Sequence, residues 1–97
     1  MELKQLEYIV TIADERSLTK AAEKLFVSKS ALSLQISRLE REEGLPPLFV
    51  RTRRGLALTD AGRIYVTGAR TILNINQRAE LQARELSEHR FKLRIGV

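Results

Sequence analysis

Cysteine is absent from this chain and histidine occurs once, at position 89. The first absence removes disulfides, thiolate metal sites and cysteine nucleophiles together. The second leaves a serine–histidine mechanism or an imidazole metal centre almost nothing to stand on. No cofactor-binding loop is recognisable either, so neither catalysis, a cofactor nor a bound metal is expected. Long apolar runs are also missing: nothing approaches the roughly 20 residues that cross a bilayer as a helix. The opening residues, MELKQLEYIV, mix acidic with basic side chains, unlike a secretory signal. A soluble, cytoplasmic protein with no membrane partner is therefore expected. Proline appears only as the pair Pro46 and Pro47, so helix breakers are few.

What is present is charge, predominantly basic. The 97 residues carry 17 Lys and Arg against 12 Asp and Glu, a formal net charge of +5 with a sequence pI near 10.1. That balance fits a nucleic-acid partner. The length fits one domain with an appended element. A domain this small buries only about 60 % of the surface its unfolded chain exposes, so support from a second chain is expected.

Residues Leu3 to about Asp14 place Leu3, Leu6, Ile9 or Val10, and Ala13 on one helical face, with Tyr8 at its half-buried edge. This is a supporting helix. Asp14, Glu15 and Arg16 break it, and Ser17 or Thr19 can cap the next. The stretch SLTKAAEKLFVSKSALSLQISRLE then reads as two short helices joined by a turn at Phe26 and Val27. Ala22, Leu25, Val27, Leu32, Ile36 and Leu39 are spaced to close over one apolar seam, and Ala21 and Ala22 are small enough to let the helices cross closely. Ser28 caps the second helix, leaving other N–H groups of its first turn free for a phosphate. Its outer side carries Lys29, Ser30, Ser33, Ser37 and Arg38. Between Arg16 and Arg38 five basic residues stand against Glu23 alone, while Glu40, Glu42 and Glu43 gather at the far end. A helix that enters a DNA groove by its N-terminal end keeps such an acidic end away from the phosphates.

Gly44, Pro46 and Pro47 end that helix. LFVRTRRGLAL follows, two short apolar runs around a tip, which is a hairpin signal. Arg51, Arg53 and Arg54 concentrate positive charge there, suited to a narrow minor groove. Thr59 caps a last helix that nothing but Gly68 interrupts as far as His89. Its stripe of Tyr65, Gly68 or Ala69, Ile72, Ile75, Ala79, Ala83 and Leu86 has near-heptad spacing and, on this reading, no partner left in the chain. Pairing with the same helix of a second copy is expected, with Tyr65, Ile72, Ile75, Ala79, Ala83 and Leu86 at the interface. The closing residues, FKLRIGV, alternate apolar and polar as a strand would.

The segments MELKQLEYIVTIADERSLTKAAEKLFVSKSALSLQISRLE, PLFVRTRRGLALTDAGR, the long helix and KLRIGV together resemble the N-terminal part of the LysR-type transcriptional regulators. The resemblance covers essentially the whole chain. It implies a mainly α, winged helix-turn-helix of three helices and a two-stranded wing in residues 1–58, a linker and dimerisation helix in 59–90, and in 91–97 the first strand of an absent effector-binding domain that would take a small molecule. It places DNA-facing residues at Thr19, Ser28, Lys29, Ser30, Ser33, Leu34 and Arg38, and on the wing at Arg51, Arg53 and Arg54. Position 29 is usually Gln in that family. Lys29 exchanges a bidentate adenine reader for a cation suited to guanine or phosphate. Leu34 stands where Arg or another polar residue is common, so a thymine methyl is its partner or that contact is lost. Ser30 replaces a frequent Pro, and EEGLPPLF is one residue longer than usual.

The function expected is that of a bacterial, sequence-specific transcription regulator, binding double-stranded DNA with dyad symmetry as a homodimer and forming higher oligomers when full length. The alternative is a protein-interaction and dimerisation module derived from such a regulator.

Overall fold

The computed structural model describes residues 2–95, with side chains as far as residue 88. Helix α1 (Leu3–Glu15) starts where the Glu2 N–H donates to Gln5 Oε1 at 3.0 Å. That bond explains a buried glutamine on an otherwise apolar face. Leu6, Ile9 and Ile12 are fully buried and Tyr8 is buried with them, whereas Leu3, expected on the same face, is exposed. Leu3 sits in the first turn, beyond the edge of the packed layer. Arg16 closes α1 in the left-handed conformation, φ 55°, its N–H donating to the Ile12 carbonyl at 2.9 Å.

Helix α2 (Leu18–Leu25) is capped by Ser17, whose Oγ accepts from the Lys20 N–H at 3.1 Å. Ala21 and Ala22 are buried at its crossing with the neighbouring helices. The turn after it is made by Phe26 at φ 58° and by Val27, whose N–H returns to the Ala22 carbonyl at 3.1 Å. Helix α3 (Lys29–Glu42) is capped by Ser28, which accepts from the Ala31 N–H at 3.1 Å. Leu32, Ile36 and Leu39 point inward, as their spacing predicts. Gly44 adopts φ +63° and ends the helix; the Leu45 N–H reaches back to the Glu40 carbonyl at 2.7 Å.

The wing is an antiparallel pair, β1 (Phe49–Thr52) and β2 (Gly55–Leu58), in register Phe49 with Leu58 and Thr52 with Gly55. Arg53 and Arg54 make its two-residue turn, braced by Thr52 Oγ1 donating to the Gly55 carbonyl at 2.8 Å. Its base is fastened at one residue. Leu48 is fully buried; its N–H donates to the Glu40 carboxylate at 2.8 Å, and its carbonyl accepts from the Thr59 N–H at 3.0 Å. Thr59 also donates its hydroxyl to the Pro47 carbonyl at 2.7 Å while accepting from the Gly62 N–H. Helix α3, the wing and the last helix are thus tied together around Pro47 and Leu48.

Helix α4 (Asp60–Ile95) is 36 residues long. Its first turns pack on α1, burying Val66 and Ala69 with Leu73 at the margin. The apolar stripe therefore does have a partner in this chain over its first part: the helix carries two apolar faces there, one turned to α1 and one outward. The strand expected from position 91 is not formed. Residues 91–95 continue α4, and positions 96 and 97 lie outside the described residues. A lone alternating segment becomes a strand only where another strand accepts its backbone hydrogen bonds. Among the described residues the only sheet is the wing, already closed on itself, so the helix satisfies those groups locally.

Candidate nucleic-acid interface

The first turn of α3 is built to face outward. Leu32, Ile36 and Leu39 fix the helix to the core, so the remaining faces must be turned to solvent. Ser28, Lys29, Ser30, Ser33, Leu34, Ser37 and Arg38 are all exposed. Ser28 spends its side-chain oxygen on the Ala31 N–H and lies 3.3 Å from the Ser30 hydroxyl. Thr19 is exposed on the first turn of α2, and Arg51, Arg53 and Arg54 are exposed on the wing.

Three of these residues, from three elements, come together. Thr19, Lys29 and Arg51 line one cleft of about 220 Å³ between α2, the start of α3 and the wing. Ser33 and Arg51 share the adjoining hollow of about 200 Å³, whose floor includes Ile12, Ile36 and Phe49. Leu34 and Arg38 lie on α3 away from both, and Arg53 and Arg54 extend at the hairpin tip. Arg16, which reads in the sequence as part of a polar break, lines the first cleft as well. Its signal was the count of basic residues between positions 16 and 38, of which it is the first.

The electrostatics sharpen this face. Asp14 pairs with Arg70 at 2.5 Å and Glu15 with Lys24 at 3.4 Å, so both acids beside Arg16 are engaged away from the cleft. Glu40 is turned inward to Leu48. Phe26, in the turn before α3, is 93 % exposed, an apolar group that periodicity does not reveal as outward.

A second, apolar surface lies along α4. Leu6, Tyr65, Gly68, Ala69 and Ile72 line a groove of about 370 Å³, with Glu43 at its edge. Burial, and secondarily Glu43, push the Tyr65 phenol above its usual value. Ile75 and Leu86 continue the outward stripe at 61 % and 56 % exposure, and Ala79 and Ala83 lie exposed between them. Ile64 and Leu81, not named from the heptad spacing, are also largely exposed. Among the described residues no group of three His, Asp or Glu could hold a metal ion, and no helix is long and apolar enough to cross a membrane.

Residues 3–63 match the profile described as "Bacterial regulatory helix-turn-helix protein, lysR family". The chain is 43% identical over 96 residues to the Hca operon transcriptional activator HcaR of Escherichia coli (strain K12), covering 99% of this chain and 32% of that protein. It is 45% identical over 87 residues to the HTH-type transcriptional regulator BudR of Klebsiella aerogenes, covering 90% of this chain and 60% of the relative. It thus spans about a third of HcaR and somewhat more than half of BudR. Among solved structures, the BenM DBD in complex with catB site 1 DNA superposes with a TM-score of 0.78 at 38% identity, over 90% of this chain and 98% of that one. The CbnR DBD–DNA complex gives 0.80 at 33% identity, over 90% and 99%. A match over residues 3–63 of a 97-residue chain, joined to the same winged helical fold in those structures, shows that the chain belongs to the LysR family of bacterial regulatory helix-turn-helix proteins.

Proposed function

We propose that this chain is the DNA-binding and dimer-forming part of a cytoplasmic transcription regulator, acting on double-stranded DNA of dyad symmetry. The observation that carries the reading is the convergence of Thr19, Lys29 and Arg51 on one cleft beside the exposed first turn of α3. Ser30, Ser33 and Leu34 present groups to the base edges of the major groove, and Lys29 reaches a guanine edge or a phosphate beside it; Ser28, Thr19 and Arg38 grip the backbone or flanking bases; Arg53 and Arg54 lie along the minor groove with Arg51 behind them. The DNA complexes formed by the BenM and CbnR domains support the same use of this fold.

Dimerisation rests on the outward stripe of α4. Tyr65 and Ile72 line the groove, and Ile75, Ala79, Ala83 and Leu86 extend the apolar or small-residue path beyond it. Two copies joined there would present two helix-turn-helix units to half-sites spaced by whole turns of DNA. In a longer protein a further domain would take the small-molecule effector and add higher oligomerisation; the chemistry of this chain is recognition rather than catalysis.

Selection of sites from a random DNA pool, run in parallel with Lys29→Gln, tests the reading. The wild type is expected to enrich a dyad-symmetric site, and the variant to shift base preference within each half. With 6 to 10 phosphate contacts per dimer, affinity should fall by roughly 10³ to 10⁵ between 50 and 200 mM salt. Enrichment of no sequence would overturn the reading in favour of a protein-interaction module, which the exposed Phe26 and Leu34 would then serve.

A further inference from the structure

Arg16 occupies an unusual position for a long side chain. It holds a left-handed backbone, φ 55°, at the junction of α1 and α2. A non-glycine residue there carries a steric cost between its Cβ and the backbone, so the surroundings must hold it. The wing does this: the Leu56 N–H donates to the Arg16 carbonyl at 3.0 Å. Gly55 packs so closely that a Cβ on it would lie 2.7 Å from the same oxygen. The backbone of Arg16 is thereby fastened to β2, and Arg16 lines the cleft together with Lys29 and Arg51. Its neighbours Asp14 and Glu15 are paired with Arg70 and Lys24. None of the three cations has an ion-pair partner among the described residues, and no carboxylate lines the cleft.

Like charges gathered from three elements into one hollow repel unless an anion joins them. We propose that the cleft takes one backbone phosphate of the bound DNA, and that Arg16 is a phosphate ligand clamping the helix-turn-helix and the wing onto the same strand. The Thr19 hydroxyl is a further donor within the cleft. This assignment rests on the proposed DNA-binding function and adds to it a residue and a site. The phosphate carries no sequence information, so Arg16 sets register and affinity, not base preference.

Arg16→Gly is the clean variant, because glycine adopts the left-handed conformation without strain where alanine would not. Arg16→Lys keeps the charge. Measured with duplex DNA across a salt series, Arg16→Gly should flatten the dependence of log K on log salt by about 0.9 per protomer, about 1.8 for the dimer, which is roughly a sixtyfold loss at 0.1 M salt. The loss should be equal on selected and random DNA, and Arg16→Lys should recover most of it. An unchanged slope with wild-type DNA binding intact would overturn this assignment and leave the proposed function standing; a wild type that binds no DNA overturns both. Inorganic phosphate, followed by the amide shifts of Leu18, Thr19 and Leu56, separates the sources of the anion. If it saturates the cleft through Arg16 while the DNA slope is unmoved, the site is one for a free anion and the DNA assignment fails.

Discussion

The two ends of α4 share one helix and the same kind of apolar spacing, yet they stand in opposite environments. From Gly62 to Leu73 the helix belongs to the core: Val66 and Ala69 are buried against α1, and Gly62 sits against the Leu48 carbonyl. From Asn74 to Glu88 every described residue except Asn76 is exposed, including Ile75, Leu81 and Leu86. Helix propensity and amphipathic spacing are therefore not what distinguishes them. The difference is that α1 lies within reach of the first part, whereas no described residue buries the second.

Substitutions can break this contrast, the largest effect being at Gly62. A methyl group at 62 would overlap the Leu48 carbonyl oxygen, which also accepts from Thr59, so both the packing and the tie between wing and α4 would have to move. Gly62→Ala should lower stability by about 3 kcal/mol, the upper part of the usual range for overpacking, read as a shift in urea midpoint. Wild-type stability in that variant would mean that the junction yields easily and the proximal part is not locked.

Next comes Glu40, whose carboxylate satisfies the Leu48 N–H. Glu40→Ala leaves that buried donor without its partner and should cost about 2 kcal/mol, whereas Glu40→Gln retains an acceptor oxygen and should recover much of the loss. Amide exchange at Leu48 reports the effect directly: it should quicken in the alanine variant and stay slow in the glutamine variant. Equal exchange in both would place the support of the wing elsewhere.

A matched pair within α4 sharpens the comparison further. Val66→Ala, in the buried part, should lower the unfolding free energy of the isolated chain by about 2 kcal/mol through lost burial and a residual cavity. Leu86→Ala, in the exposed part, should change it by less than about 0.5 kcal/mol while weakening self-association measured by sedimentation. If Leu86→Ala unfolds the dilute chain as readily as Val66→Ala does, the distal half is not waiting for a partner.

The smallest effect is expected at Gly68, which has open space where a Cβ would stand. Gly68→Ala should raise the stability of the single chain by up to about 1 kcal/mol through helix propensity. The same methyl enters the groove formed with Leu6, Tyr65 and Ile72, so self-association should not gain with it. A parallel gain in both would show that the second helix does not seat at position 68.

Much of the architecture was legible because local rules and tertiary packing agree. Ser17, Ser28 and Thr59 cap the helices their side-chain oxygens announced, and Leu32, Ile36 and Leu39 face inward at helical spacing. The wing followed from two apolar runs around Thr52 to Gly55. The candidate interface could be read in composition rather than geometry: an excess of cations drew attention to the stretch, but nothing local placed Arg16 beside Arg51, residues brought into one cleft only when β2 captures the carbonyl of the α1–α2 turn. Leu3 was misplaced because a period identifies a face without saying how far the opposing layer extends. The terminal segment was misread for a related reason, since alternation at 91–97 states a preference that only a neighbouring strand can satisfy.

Sequence alone determined the elements, their caps and the sign of the charge on α3 and the wing, because those depend on residues within a few positions of one another. Tertiary structure alone decided which apolar residues of α4 are core and which are open, and which cations meet. Burial and electrostatic convergence are properties of distance in space, and in this fold the deciding contacts join α1 to α4 and the α1–α2 turn to the wing.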